Sequence, residues 1–125
     1  MDGSMPIPAN DVIRELFERK SVRAFSDEPV TREEELQILE AAIQAPTAGN
    51  EQLYSIIVVR DQTKKEALAV SCDNQPFIAR APLVIAFCAD VRRWYRGFCF
   101  AGSSPREPGV GDFLLAVEDT MIAAQ

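Results

Sequence analysis

The chain has 125 residues, enough for one domain, and its 47% hydrophobic and 26% charged content is that of an ordinary globular protein. Nineteen acidic against thirteen basic residues leave a net charge of −6, which argues against a general nucleic-acid surface, because phosphate contacts need spare cations. Histidine is absent, so the commonest general base and metal ligand is missing, and an enzyme of this composition has to borrow its reactivity from a cofactor.

The first ten residues lack the cationic start and apolar run of a secretion signal, and no window approaches the roughly 18 to 20 apolar residues of a membrane span. A cytoplasmic protein with no membrane contact is therefore expected. A first helix is predicted from Asn10 or Asp11, either of which can cap it, to about Arg19, with Ile13, Leu16 and Phe17 as its buried stripe. Val22 and Phe25 then alternate with Ser21, Arg23 and Ser26, the pattern of a short extended segment, which sets Arg19, Ser21 and Arg23 on one side.

Thr31 followed by Glu34 is a capping box, and Leu36, Leu39 and Ile43 continue a second helix as far as Pro46. Glu33, Glu34 and Glu35 read as a solvated first turn favoured by the helix dipole, and consecutive helical positions point apart, which argues against a metal site. Leu53 to Arg60 and Ala81 to Ala89 are expected as buried strands, with a third helix over Gln62 to about Ser71 between them. That order suggests an α/β layer, although two strands are too few for a self-sufficient sheet.

Trp94 and Tyr95, beside Arg92, Arg93 and Arg96, are read as a mobile segment after the second strand, with a lid as the second choice. Gly97 to Gly111 is predicted as a long mobile loop. Gly109 and Gly111 supply two glycines of a dinucleotide fingerprint, but no third follows. Asp112 is predicted to cap a last helix whose apolar residues, Phe113, Leu114, Ala116, Val117, Met121 and Ile122, cover much of its circumference, as at the centre of a dimer. The chain stops at Gln125 without a helix ending, so a truncated chain or an incomplete single domain over residues 1–125 is expected. Cys72, Cys88 and Cys99 have none of the close spacing of zinc or redox pairs and read as reduced packing thiols.

Two stretches carry the candidate chemistry. Arg19, Lys20, Ser21, Val22 and Arg23 place three cations and a hydroxyl just after a helix, a set that suits a phosphate; cations at a helix C-terminus are also favoured by the macrodipole alone. The loop Pro46, Thr47, Ala48, Gly49, Asn50, Glu51, Gln52 offers small and amide side chains that could wall a flat polar ring, or form a plain helix stop and turn.

The order Arg-x-Ser-x-Arg, then Phe25, then a capped helix ending in Ala-Pro-Thr-x-x-Asn-x-Gln, then an apolar strand, resembles the nitroreductase family of flavin enzymes. Asn74, Gln75 and Pro76 before the second strand, Asp90 after it, and the helix from Asp112 extend the resemblance from about Asp11 to the end of the chain. It covers that family's N-terminal part, and Leu53 and Tyr54 stand where the family often has Pro and Trp.

The resemblance implies an α+β fold, a nitroreductase-like three-layer arrangement with a small central sheet packed by helices, dimeric when complete. It implies FMN as cofactor, NADH or NADPH as electron donor, a small acceptor such as a nitroaromatic, quinone or activated alkene, and a homodimer with FMN between the subunits. Arg19 and Ser21 are then expected at the cofactor phosphate, Lys20 along the phosphate and ribityl chain, Arg23 near the pyrimidine edge, and Asn74 facing that edge, with a plain turn residue as the other reading of Asn74. Pro46, Thr47, Ala48 and Asn50 are expected from the opposite subunit to wall the ring, and Gln52 either to meet it or to support the loop. No side chain is expected to act as a catalytic nucleophile, and no metal is implied. The second reading is a non-catalytic remnant or dimerisation domain of a flavoprotein.

Overall fold

The structure, a computed structural model, describes residues 10–125. Asn10 opens helix α1 (Asp11–Glu18), its side-chain oxygen accepting from the backbone N–H groups of Val12 at 3.0 Å and Ile13 at 3.3 Å. These bonds satisfy two of the donors that a helix start leaves without partners. The predicted buried stripe is not buried: Ile13, Leu16 and Phe17, with Val12, are all exposed. Periodicity identifies the apolar face, but among the described residues nothing within the protomer buries it. Residues 19–30 form no helix or strand.

Helix α2 (Arg32–Ile43) begins at the expected capping box, where the Thr31 hydroxyl accepts from the Glu34 N–H at 3.2 Å and the Glu34 carboxylate accepts from the Thr31 N–H at 2.7 Å. Glu35 departs from the solvated reading. It is 6% exposed, and its carboxylate takes the Arg60 guanidinium in a fork at 3.0 and 2.7 Å and also binds Arg32. One glutamate of three in a row turns inward because a cation at the far end of the first strand lies beneath it.

Strand β1 (Tyr54–Val59) pairs antiparallel with β2 (Val84–Ala89), from Tyr54 opposite Ala89 to Val59 opposite Val84. The expectation of an α/β layer with buried strands is thus corrected to a two-stranded antiparallel sheet, most of whose residues are only half-buried. Helix α3 (Gln62–Ser71), capped by Asp61, and the short α4 (Pro76–Arg80) connect the strands. Asp73 and Asn74, at φ 63° and 53°, make the left-handed turn between these helices.

The segment read as mobile contains helix α5 (Arg92–Phe100), and only Ala101 to Gly109 is irregular. Helix α6 (Val110–Ala124) lies across both strands. Its cap position is Gly109, not Asp112. Asp112 stands three residues further in, accepting from the Gly109 N–H at 2.7 Å and from Arg106 through two bonds at 2.7 Å. Among the described residues the buried apolar set comprises Leu53, Tyr54 and four alanines, Ala69, Ala81, Ala116 and Ala123.

Two outcomes are expected from these contacts. Thr31→Ala removes one half of the capping box and should lower stability by about 1 kcal/mol, read from a denaturant midpoint. Asp112 has its carboxyl pushed down to about 2, first by the hydrogen bonds from Arg106 and then by that from the Gly109 N–H. Because its folded value lies below the ordinary 3.8, this contribution is present above about pH 4 and is lost as pH falls toward 2. The protection of the Gly109 amide, the exchange rate of an unstructured amide at the same pH divided by its own, should fall across that window in the native chain and show no such step in Asp112→Asn.

Candidate cofactor site

The loop Pro46 to Gln52 closes on itself. A 3₁₀ turn over Ala48–Asn50 is formed by the Asn50 N–H donating to the Thr47 carbonyl at 3.2 Å and the Glu51 N–H to the Ala48 carbonyl at 3.1 Å. The Thr47 hydroxyl accepts from the Gln52 N–H at 3.2 Å, and the Gln52 side-chain amide donates to Asn50 Oδ1 at 3.2 Å. Gly49, Asn50 and Gln52 sit at φ 58°, 57° and 51°, the left-handed region that glycine and asparagine enter most readily.

Asp119 of α6 holds this loop to the rest of the molecule. It is 3% exposed; Oδ1 accepts from the Ala48 N–H at 3.1 Å and Oδ2 from the Leu53 N–H at 3.3 Å. On the other flank, the Arg93 guanidinium donates to the Gln52 carbonyl at 2.5 Å and the Trp94 indole N–H to the Glu51 carbonyl. Asp90 completes that side: its N–H donates to the Leu53 carbonyl at 2.9 Å, while its carboxylate accepts from the Ser55 hydroxyl at 2.6 Å and the Arg93 N–H at 3.2 Å. The Ser55 bond, more than the bond from the Arg93 N–H, holds the Asp90 carboxyl below its usual range against a smaller opposing effect of burial.

The cationic segment is a different environment. Arg19, Lys20, Ser21 and Arg23 are all exposed, and among the described residues none of the three cations forms an ion pair. The Arg23 guanidinium lies 5.7 Å from the centre of the Phe77 ring, and Phe25 meets the same ring at 6.4 Å. Phe77 belongs to α4, three residues beyond Asn74, so this stacking sets Arg23 against the helix that follows the Asn74 turn. The Asn74 N–H donates to the Val70 carbonyl at 3.2 Å, and its side chain borders a hollow of about 360 Å³ with Ala69, Val70 and Pro76.

The predicted residues thus fall into two groups. Arg23 stacks on Phe77 of α4, while Pro46 to Gln52 are locked between α6 and α5. Among the described residues no side-chain hydrogen bond or ion pair joins the two groups within one chain. Asp119 belongs to this site without a sequence expectation that places it there, and Arg93 and Trp94, for which a lid is the second choice from sequence, instead bond the loop's backbone carbonyls. An acid in a helix otherwise dominated by apolar residues is the available signal for Asp119; the aromatic–arginine run reads as mobile until its backbone partners are seen.

The donor set fits FMN: cations without counter-ions suit its phosphate, and amide side chains at Asn50, Gln52 and Asn74 can match alternating ring donors and acceptors. Among the described residues no helix is long and apolar enough to cross a membrane.

The sequence model of the nitroreductase family matches residues 16–125, and the chain belongs to that family. It is 39% identical over 84 residues to an FMN reductase [NAD(P)H] of Bacillus subtilis, an alignment covering 67% of this chain and 34% of that protein. The NfrA1 nitroreductase of Bacillus subtilis superposes with a TM-score of 0.87 at 31% identity, covering 91% of this chain and 47% of that one. An NADPH:FMN oxidoreductase of Vibrio harveyi, complexed with NAD+, superposes with a TM-score of 0.82 at 26% identity over 92% of this chain and 48% of its own. The chain spans less than half the length of each of these relatives.

Asp119→Asn places an amide donor against one of two backbone donors. It should cost about 1 to 3 kcal/mol, the range for leaving a buried group without its partner. Hydrogen exchange at Ala48 and Leu53 should rise at least tenfold while exchange within the β1–β2 pairing changes far less; unchanged protection of both amides would refute the clamp.

Proposed function

We propose that this chain acts in an FMN-dependent oxidoreductase of the nitroreductase type, using NADH or NADPH to reduce a small acceptor such as a nitroaromatic, a quinone or an activated alkene. The observation that carries this reading is the pair of groups just described: a cation segment without counter-ions and a rigid amide-bearing loop that do not meet within one protomer. A site assembled between two copies brings them together, the cations from one and the loop from the other. FMN, when bound, would supply the hydride chemistry, which no amino-acid side chain supplies.

Arg19 and Ser21 hold the cofactor phosphate, with Lys20 alongside its chain, through charge-assisted bonds. Arg23 sets a fixed cation at the pyrimidine edge, where it stabilises negative charge, and Asn74 presents an amide able to donate and accept there. Pro46, Thr47, Ala48, Asn50 and Gln52 of the second copy wall the ring and exclude water.

The homodimer this requires is supported by apolar surface. Leu16 and Phe17 of α1 and Phe113, Leu114, Met121 and Ile122 of α6 stand exposed, an arrangement that marks an interaction face when the residues are contiguous. A non-catalytic dimerising domain is the second reading, favoured by the same exposed apolar residues of α1 and α6.

Titration of the purified chain with FMN separates these readings. Saturable binding with a perturbed flavin spectrum, bleached by NADH or NADPH, supports the enzyme; a dimer that takes up no FMN supports the second reading. The double variant Arg19→Ala, Arg23→Ala should weaken FMN binding at least tenfold, equivalent to about 1.4 kcal/mol, and undiminished affinity would remove these residues from the site.

A further inference from the structure

Lys65 of α3 is only 9% exposed, which sets an ammonium group inside the protein. Its Nζ donates to the Ala81 carbonyl at 2.6 Å, and among the described residues no carboxylate lies within ion-pair distance of it. An ammonium has three donors, and a buried cation is costly without a counter-charge. The nearby buried acid does not supply one. Glu35 borders a hollow of about 340 Å³ together with Lys65, but both its oxygens are occupied by Arg32 and Arg60.

Lys65 also borders a larger hollow of about 670 Å³, between the segment 23–27, the first turn of α3 and the end of α4. Arg23, Arg80, Ser26 and Asp27 line the same space. Arg23 is steadied by its stack on Phe77, and Arg80 is exposed and unpaired among the described residues. Three cations against one carboxylate leave two net positive charges around one hollow. A phosphate monoester carries about −1.5 to −2 near neutrality and presents tetrahedral oxygens to ammonium, guanidinium and hydroxyl donors.

We propose that this hollow is a phosphate seat in which Lys65, Arg80 and Arg23 supply the charge and the Ser26 hydroxyl a further donor. The seat goes beyond the flavin reading and shares only Arg23 with it. The phosphate can belong to a free anion or to a mononucleotide, and these two sources are separable by experiment.

The test uses the 125-residue chain at low salt, titrated with inorganic phosphate and separately with FMN, followed by amide chemical shifts. Phosphate should bind saturably, with shifts centred on residues 23–27 and 79–82, and Arg80→Ala should weaken it at least tenfold. Lys65→Arg should preserve binding and Lys65→Met should abolish it. Since Lys65→Met also removes the bond to Ala81 and can disrupt the α3–α4 corner, the exposed Arg80 variant is the decisive one. Absence of saturable phosphate binding, binding indifferent to Arg80→Ala, or shifts centred on Arg19 to Ser21 would overturn the proposal.

FMN that displaces phosphate and moves the same amides identifies a mononucleotide as the source and removes the cofactor phosphate from Arg19 and Ser21. FMN that binds additively identifies a free anion; both outcomes support the seat. If phosphate binds here and FMN binds nowhere, the flavin reading fails and this one stands.

Discussion

A single buried carboxylate organises the molecule around the candidate site. Asp119 sits in the second half of α6, against the sheet, and engages no cation among the described residues. Its charge is satisfied by the backbone N–H groups of Ala48 and Leu53, which in turn need an acceptor where water is excluded. Because α6 crosses both strands, this one side chain fixes the loop's height above the sheet on both sides of the 3₁₀ turn. The other flank is held through carbonyls by Arg93 and Trp94. Donors on one side and acceptors on the other leave the left-handed residues Asn50 and Gln52 little room to relax.

The same helix explains why so little of the chain is buried. The inward face of α6 is Ala116, Asp119, Thr120 and Ala123, small or polar residues that permit a close approach to the strands, and its bulky residues Phe113, Leu114, Met121 and Ile122 are left exposed. An isolated protomer would ordinarily place the large residues inward and the small polar ones outward. The inversion follows from the grip on the loop: the small and polar face lies inward because Asp119 must reach the Ala48 and Leu53 N–H groups, and the large apolar residues are left outward. Helix α1 is likewise amphipathic yet without a buried residue.

What the sequence discloses is local. The Thr31–Glu34 capping box, the Asn10 cap and the extents of α1, α2 and α3 depend on residues three or four apart, and all are legible. Both strands are recognisable from their β-branched and apolar runs. Their antiparallel pairing is not, since direction depends on the left-handed turn at Asp73 and Asn74, which carries no signal of how the chain returns. Helix α5 is hidden by Gly97 and by a cluster of arginines and aromatics whose partners are backbone carbonyls some forty residues away. Glu35 and Asp119 are illegible for the same reason: their burial is decided by Arg60, Ala48 and Leu53, distant in sequence. For the candidate site, residue types and spacing are present in the sequence, whereas the division into two separate groups emerges only in three dimensions.

Electrostatics draws a final distinction between the cationic regions of this acidic chain. Around Arg19 and Lys20 the charges are solvated, so an incoming phosphate must compete with water and with salt, which screens exposed charges beyond roughly 8 to 10 Å. Affinity there has to come from geometry, in particular from closure by a second surface that removes water. At Lys65 the ammonium has already been desolvated by folding. The unfavourable part of placing a cation at that seat is met before any ligand arrives, and an anion entering it relieves an existing deficit. Equal counts of positive charge therefore do not make equal sites: the exposed segment needs a partner to become selective, and the buried lysine makes its surroundings receptive within a single protomer.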